Sequence, residues 1–285
     1  NFIRDAIEGF LMQRTTFPVE ILIHDDASTD KTAEIVREYE QKFPQLIKPI
    51  YQTENQYTKG VRPINKFNWE RAKGKYIALC EGDDYWIDPY KLQKQVDFLE
   101  ANPEYSMCFH NAFNIYENST KKPELFNDIF FSREVTINEI VNKWIIPTAS
   151  IVFKRDDILP LPAWSKNIYS GDMTLALIAV SKGKLFCLNS VMSVYRINLA
   201  GSSMTAMVAS RKFDFLLKEH IKLYSFYLND PHCINKKIIE DKIKSLRIEL
   251  KFQQLKHKSS IYAFIGMPSY FLEKLRNKIK SNNAI

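Results

Sequence analysis

The chain has no run of the roughly 18 to 20 consecutive apolar residues that a membrane helix needs, and its richest late segment, 261–271, is broken by Gly266 and Pro268. A bilayer-spanning helix is therefore not expected. Cysteine is scarce as well: Cys80, Cys108, Cys187 and Cys233 lie far apart in apolar surroundings, without the close spacing of a zinc site. They read as reduced, mostly buried thiols of a cytosolic protein. Internal repeats and low-complexity tracts are missing. With 45% hydrophobic and 26% charged residues over 285 positions, disorder is excluded as the main state. Asn1 leads directly into the helical pattern of Phe2, Ile3, Ile7, Phe10 and Leu11, so no signal peptide is expected.

What charge there is lies unevenly. Residues 211–285 hold 16 Lys+Arg against 7 Asp+Glu, a balance of +9, while residues 1–210 carry −2. The basicity belongs to the tail. Nucleic acid, an anionic membrane surface, an acidic partner and a plain solvated helical face all fit such a tail. Tyr262, Phe264, Tyr270 and Phe271 interleaved with the basic residues favour peripheral attachment to an anionic bilayer, with no nucleic-acid partner.

Two short apolar runs, Val19 to Ile23 and Tyr76 to Cys80, have the size of buried strands, and an acidic cluster follows each. Ala33 to Phe43 and Lys91 to Glu100 read as helices, each with one apolar face. Further strands are expected over Ser106 to Tyr116, Ala149 to Phe153 and Lys184 to Tyr195, with a helix over Asp172 to Lys182. This alternation predicts an α/β fold with a mostly parallel sheet, in which ligands bind beyond the carboxyl ends of the strands. The α/β body is expected to end near Ser210, and residues 211–285 to form a basic helical region.

The cluster Glu81-Gly82-Asp83-Asp84 ends one apolar strand. Adjacent aspartates repel when both ionise. A divalent cation removes that penalty, and oxygen ligands suit Mg²⁺ or Mn²⁺. A polar turn is the alternative, with Asp84 or Asp88 capping the next helix. The second cluster, His24-Asp25-Asp26-Ala27-Ser28-Thr29-Asp30, closes the other strand. Asp30 reads as a helix cap, whereas Asp25 and Asp26 are not needed for capping and are free to accept hydrogen bonds from a ribose hydroxyl or a base N–H. Asp172 reads alone as a helix cap, His110 as a satisfied core histidine, and Trp86 as a packing residue beneath the acidic loop, with a sugar-stacking wall as its alternative.

Taken in order, these segments resemble family 2 glycosyltransferases. Glu20 to His24 followed by Asp25 to Thr32 resembles the family's opening; Gly74 to Trp86 resembles its strand and metal motif. Pro89 to Val96 resembles the helix after it, and Gly171-Asp172 the catalytic acidic position. The match spans roughly residues 1–205. It implies a GT-A, nucleotide-diphospho-sugar transferase fold, Rossmann-like, with helices flanking the sheet and a C-terminal helical extension. The activity implied is inverting transfer of a sugar from a nucleotide-diphosphate donor, with UDP expected, to an acceptor hydroxyl. Together with the basic tail, the motifs lead to the expectation of a cell-surface glycan or lipid-linked acceptor and of a cytoplasmic protein peripheral on the inner face of the membrane.

By position, the resemblance implies that Asp26 binds the base, with Asp25 supporting that loop. Asp83 is the principal metal ligand; Glu81 and Asp84 flank metal and ribose, with Glu81 standing where the family's short motif usually has Asp. Asp172 is the general base. Arg196 pairs with phosphate or with an acidic neighbour. Asn198 stands where the family commonly has a metal-proximal histidine, Gly201-Ser202-Ser203 falls in a loop near donor and acceptor, and Pro147 to Ser150 lines the acceptor side.

The family's opening apolar strand, which precedes the helix at Phe2, is not in this sequence. Its absence predicts exposed ladder groups and poor stability or weak donor binding. Together with Glu81 and Asn198 it motivates a different class of function, a catalytically inactive nucleotide-sugar-binding or interaction module. A sugar-phosphate nucleotidyltransferase is disfavoured by the lack of a Gly-rich, basic phosphate loop.

Overall fold

The computed structural model describes residues 2–60, 64–117, 119–197 and 213–258. It opens with helix α1 (Ile3–Leu11), strand β1 (Ile21–Asp25), helix α2 (Thr32–Lys42) and strand β2 (Ile47–Tyr51). β1 and β2 pair in parallel as a two-stranded sheet. Alternate burial along β1 puts Ile21 and Ile23 into a small core with Ile7 of α1 and Ile35, Val36 and Tyr39 of α2. Asp30, expected to cap α2, stands one residue before the N-cap position, which is Lys31; its Oδ1 accepts the Thr32 N–H at 2.9 Å at the start of the helix.

The second sheet has seven strands: β3 (Tyr76–Ala78), β4 (Tyr85–Trp86), β5 (Tyr105–Tyr116), β6 (Glu124–Leu125), β7 (Arg133–Val135), β8 (Val152–Lys154) and β9 (Lys184–Ile197). Its order is β3-β8-β5-β9-β4, with β6 on β5 and β7 on β9. The α/β class stands, but strand direction is mixed. Parallel pairing joins β1 to β2 and β5 to β9, and the other ladders are antiparallel. The reason is local: β4, β6 and β7 are two or three residues long and are each reached from the preceding strand without an intervening helix.

Among the described residues no ladder joins the two sheets. Side chains serve carbonyls of the small sheet instead: Asn68 Nδ2 donates to the Leu22 carbonyl of β1 at 3.1 Å, and the Arg71 guanidinium to the Ile23 carbonyl of β1 and the Lys48 carbonyl of β2 at 3.1 and 2.8 Å.

Helices α3 (Lys91–Ala101), α4 (Ile137–Asn142), α5 (Arg155–Ile158) and α6 (Gly171–Lys182) cover the large sheet. α6 is apolar nearly all round, with Leu175 to Ala179 buried, which fits a helix enclosed by sheet and neighbours. Helices α7 (Phe213–Leu228) and α8 (Lys236–Lys258) form a hairpin. Leu223, Tyr224 and Tyr227 of α7 and Ile239, Ile243 and Leu246 of α8 enter the same core as Met107, Phe153 and Leu175. No described helix is long and apolar enough to cross a membrane. All four cysteines are free thiols, with Cys108 and Cys187 buried and Cys80 and Cys233 partly so.

Candidate functional site

The acidic loop lies between β3 and β4 and is fixed by the register of β4 against β9. Tyr85 pairs with Val194 and Trp86 with Ser193, so the antiparallel ladder carries Asp84 and Asp83 alongside Tyr195 and Arg196. Beneath it Trp86 is buried, donating from Nε1 to the Ala149 carbonyl at 2.8 Å and meeting Phe10 edge-on. Packing is its role. Gly9 of α1 makes this possible, because a Cβ there would stand 2.9 Å from both the Trp86 N and O.

Asp84 is 1% exposed. Its Oδ1 accepts the Arg196 backbone N–H at 2.9 Å, while its Oδ2 is buried without a partner. Loss of hydration, with some help from Asp83, pushes the carboxyl up to about 7. Glu81 reaches open surface at the mouth of the loop, yet crowding by protein strips much of its water. Asp84, Asp83 and Asp172 add like charge, and its carboxyl rises to about 8. Asp172 thus contributes to the same field from the second residue of α6. It is half-buried, its Oδ1 accepts the Met173 N–H at 2.8 Å, and burial raises its carboxyl above the usual range. It combines the cap-like contact with a place beside the acidic loop.

Arg196 has its guanidinium committed within the protein. It donates to the Asp83 carbonyl at 2.9 Å, forms ion pairs with Asp5 and, at 3.0 Å, with Glu117, and lies between the Phe2 and Tyr85 rings. Of its two alternatives the acidic-neighbour one is realised here. Sequence reasoning passed over Tyr195. Burial pushes its hydroxyl up to about 12, and Glu81, Asp84, Asp83 and Asp172 all act in the same sense. Only its position beside Arg196 hinted at this; the carboxylates that act on it come from the β3–β4 loop and α6.

Asp25 and Asp26 stand on the two-stranded sheet and make no hydrogen bond with the acidic loop among the described residues. Asp25 is 5% exposed, with Oδ1 buried and unpartnered. Asp26 accepts the Gln56 and Tyr57 backbone N–H groups at 2.7 and 3.0 Å, fastening the loop after β2. Its oxygens retain further lone pairs for a base N–H. Ala27 follows at φ 57, a left-handed conformation of the kind held in place by surrounding contacts. His24 stacks on Phe67 at 4.8 Å. His110, expected to be a satisfied core residue, is half so: Nδ1 lies 2.7 Å from the Asn111 carbonyl and Nε2 has no partner. Asn198 and Gly201-Ser202-Ser203 lie outside the described residues.

Among the described residues no group of three or more His, Cys, Asp and Glu side chains forms a ready metal cage. A cation held by one or two carboxylates together with substrate phosphates needs none. The chemistry fits such a cation, since Glu81 and Asp84 are destabilised as anions and one Asp84 oxygen is unpartnered.

The fold is similar to that of GT-A glycosyltransferases. It matches Staphylococcus aureus TarS with a TM-score of 0.59 at 16% identity, over 87% of this chain and 40% of that one. It matches GalNAc-T7, solved with UDP, GalNAc and Mn²⁺, with a TM-score of 0.54 at 13% identity, over 90% of this chain and 55% of that one. The chain belongs to glycosyl transferase family 2, whose model matches residues 1–158. An uncharacterized Mycobacterium tuberculosis protein is 41% identical over 217 residues, covering 75% of this chain and 60% of the relative. The chain thus spans about 60% of the length of that mycobacterial relative. An Escherichia coli UDP-Glc:alpha-D-GlcNAc-diphosphoundecaprenol beta-1,3-glucosyltransferase, WfaP, is 29% identical over 233 residues, covering 80% of this chain and 83% of that protein.

Proposed function

We propose that the chain carries an inverting glycosyltransferase centre that moves a sugar from a UDP-linked donor to a hydroxyl of a lipid-linked or cell-surface glycan acceptor. The observation that carries this reading is the convergence of Glu81, Asp83 and Asp84 from one end of the sheet with Asp172 from α6. Sugar transfer from a diphosphate needs a stabilised leaving group on one side and a proton acceptor on the other. The activity named for the Escherichia coli relative, with a diphosphoundecaprenol acceptor, supports the lipid-linked class. Mn²⁺ and UDP in the GalNAc-T7 structure support the donor and the cation.

In this reading Asp83, with Glu81, holds Mg²⁺ or Mn²⁺. When bound, the ion supplies positive charge against the departing diphosphate. Asp26 accepts a hydrogen bond from the base, and Asp25 offers its unpartnered oxygen beside it. Arg196 serves as a positioning residue, holding the Asp83 carbonyl and leaving phosphate contacts to others. Asp172 takes the proton from the acceptor hydroxyl as that oxygen attacks the anomeric carbon, and its raised carboxyl brings its basicity nearer to neutral pH.

Asp172→Asn tests the division of labour. Transfer of labelled sugar from UDP-sugars to a bacterial lipid extract should fall by about 10² to 10⁴, with UDP binding unchanged. Transfer by the variant at the wild-type rate removes Asp172 from catalysis. Binding without turnover in the unmodified chain favours the inactive-module alternative.

A further inference from the structure

Between α7 and α8 runs a groove of about 520 Å³. Leu228 of α7 and Ile243 and Ile248 of α8 give it an apolar floor, and Lys244, Arg247 and Lys251 line it along one side of α8. Their spacing of three and then four residues places the three cations in a row on one helical face. Glu240 is the acidic residue in the lining. None of Lys244, Arg247 and Lys251 forms an ion pair with a described residue, although Lys237, on the same helix, pairs with Asp241 at 3.1 Å. Phe226, next to the groove-lining Ser225, is 40% exposed.

A row of unpaired cations is ordinarily solvated and carries no meaning alone. Here it borders an apolar groove with an exposed aromatic nearby, a combination suited to a ligand that is anionic at its surface and apolar just beneath. An acidic soluble partner would match the cations and leave the floor unused. We infer that the α7–α8 groove docks the chain on the anionic face of a lipid bilayer. The location suits the reading above, on which this inference rests for its purpose: Phe215 of α7 packs edge-on to Tyr169 at 5.4 Å, so the hairpin that grips the bilayer also abuts the segment leading into Asp172. A lipid-linked acceptor resides in that bilayer.

The test is co-sedimentation of the full chain with phosphatidylcholine vesicles, with and without phosphatidylserine. It uses no donor or acceptor, so its outcome is separate from that of the transferase reading. The chain should partition onto the phosphatidylserine vesicles and not onto phosphatidylcholine alone. The triple variant Lys244→Gln, Arg247→Gln, Lys251→Gln should lose about 100-fold in partition coefficient, from a several-fold loss per neutralised cation. The control Lys73→Gln, Lys166→Gln, Lys182→Gln makes the same change in net charge on exposed lysines elsewhere and should lose only a few-fold. Circular dichroism confirms that both variants fold; if the groove triple does not, the three single variants replace it, each expected to lose about fivefold. Equal losses in groove and control variants would overturn the inference, as would equal binding to neutral vesicles. Capture by polyglutamate with no vesicle binding would assign the groove to an acidic polypeptide and overturn it too.

Discussion

Lys91 is a costly side chain to bury near the site. It is fully buried on the first turn of α3, its Nζ donates to Gln95 Oε1 at 2.8 Å and lies 4.1 Å from the Trp86 ring centroid, and no carboxylate pairs with it. Burial dominates and lowers the amine to about 7. In the unfolded chain it titrates near its ordinary 10.5. Between those values the unfolded state binds the extra proton, so stability rises with pH from about 7 to about 10.5, at up to ~1.4 kcal/mol per pH unit. Lys91→Met should flatten that slope in urea unfolding and stabilise the chain most at pH 7 and below. An unchanged slope would mean that the amine is charged in both states. Arg196→Met should cost ~1 to 3 kcal/mol, because Asp5, Glu117 and the Asp83 carbonyl lose a shared donor; Arg196→Lys should recover part of it. Equal urea midpoints for wild type and Arg196→Met would remove the clamp from the account.

At the scale of elements, the contact of α1 with β4 decides where the acidic loop sits. Gly9→Ala sets two effects against each other. Alanine gains about 1 kcal/mol of helix propensity, but its Cβ would lie 2.9 Å from two Trp86 backbone atoms, and overpacking of this kind costs about 1 to 3 kcal/mol. The clash involves backbone on the far side and should win, so the melting temperature should fall; a rise would show that the contact yields easily. α4 offers a cleaner case. Thr136 and Glu139 form a capping box, with Glu139 Oε2 accepting the Thr136 N–H at 3.0 Å. Thr136→Ala should cost about 1 kcal/mol, read from urea midpoints.

For the whole molecule, the elements legible in the sequence were those with a strong period or a sharp stop. β1, β3, α2, α3, β5, α6 and β9 fall within a few residues of their expected places, because each pairs an apolar face or run with a capping or acidic terminator. β4, β6 and β7 were not legible: two or three residues carry no period, and they are strands only because β5 and β9 offer edges. The site divides in the same way. Glu81 to Asp84 and Asp172 announce themselves as charges at strand and helix ends. The partners of Arg196 do not, since Asp5 is 191 residues away in sequence and the bond between them exists only after β4 and β9 pair. The boundary placed near residue 210 lies outside the described residues, and the proposed division there is one of role, since α7 and α8 share the main core.

The central claim is that Asp83 makes donor binding depend on a divalent cation. Isothermal titration of UDP into the wild-type chain and Asp83→Ala, each with and without Mn²⁺, tests it directly. Mn²⁺ should tighten UDP binding to the wild type by about tenfold or more, ~1.4 kcal/mol, and leave Asp83→Ala unaffected. The same UDP affinity with and without Mn²⁺ in the wild type, or an equal Mn²⁺ effect in both proteins, would contradict it.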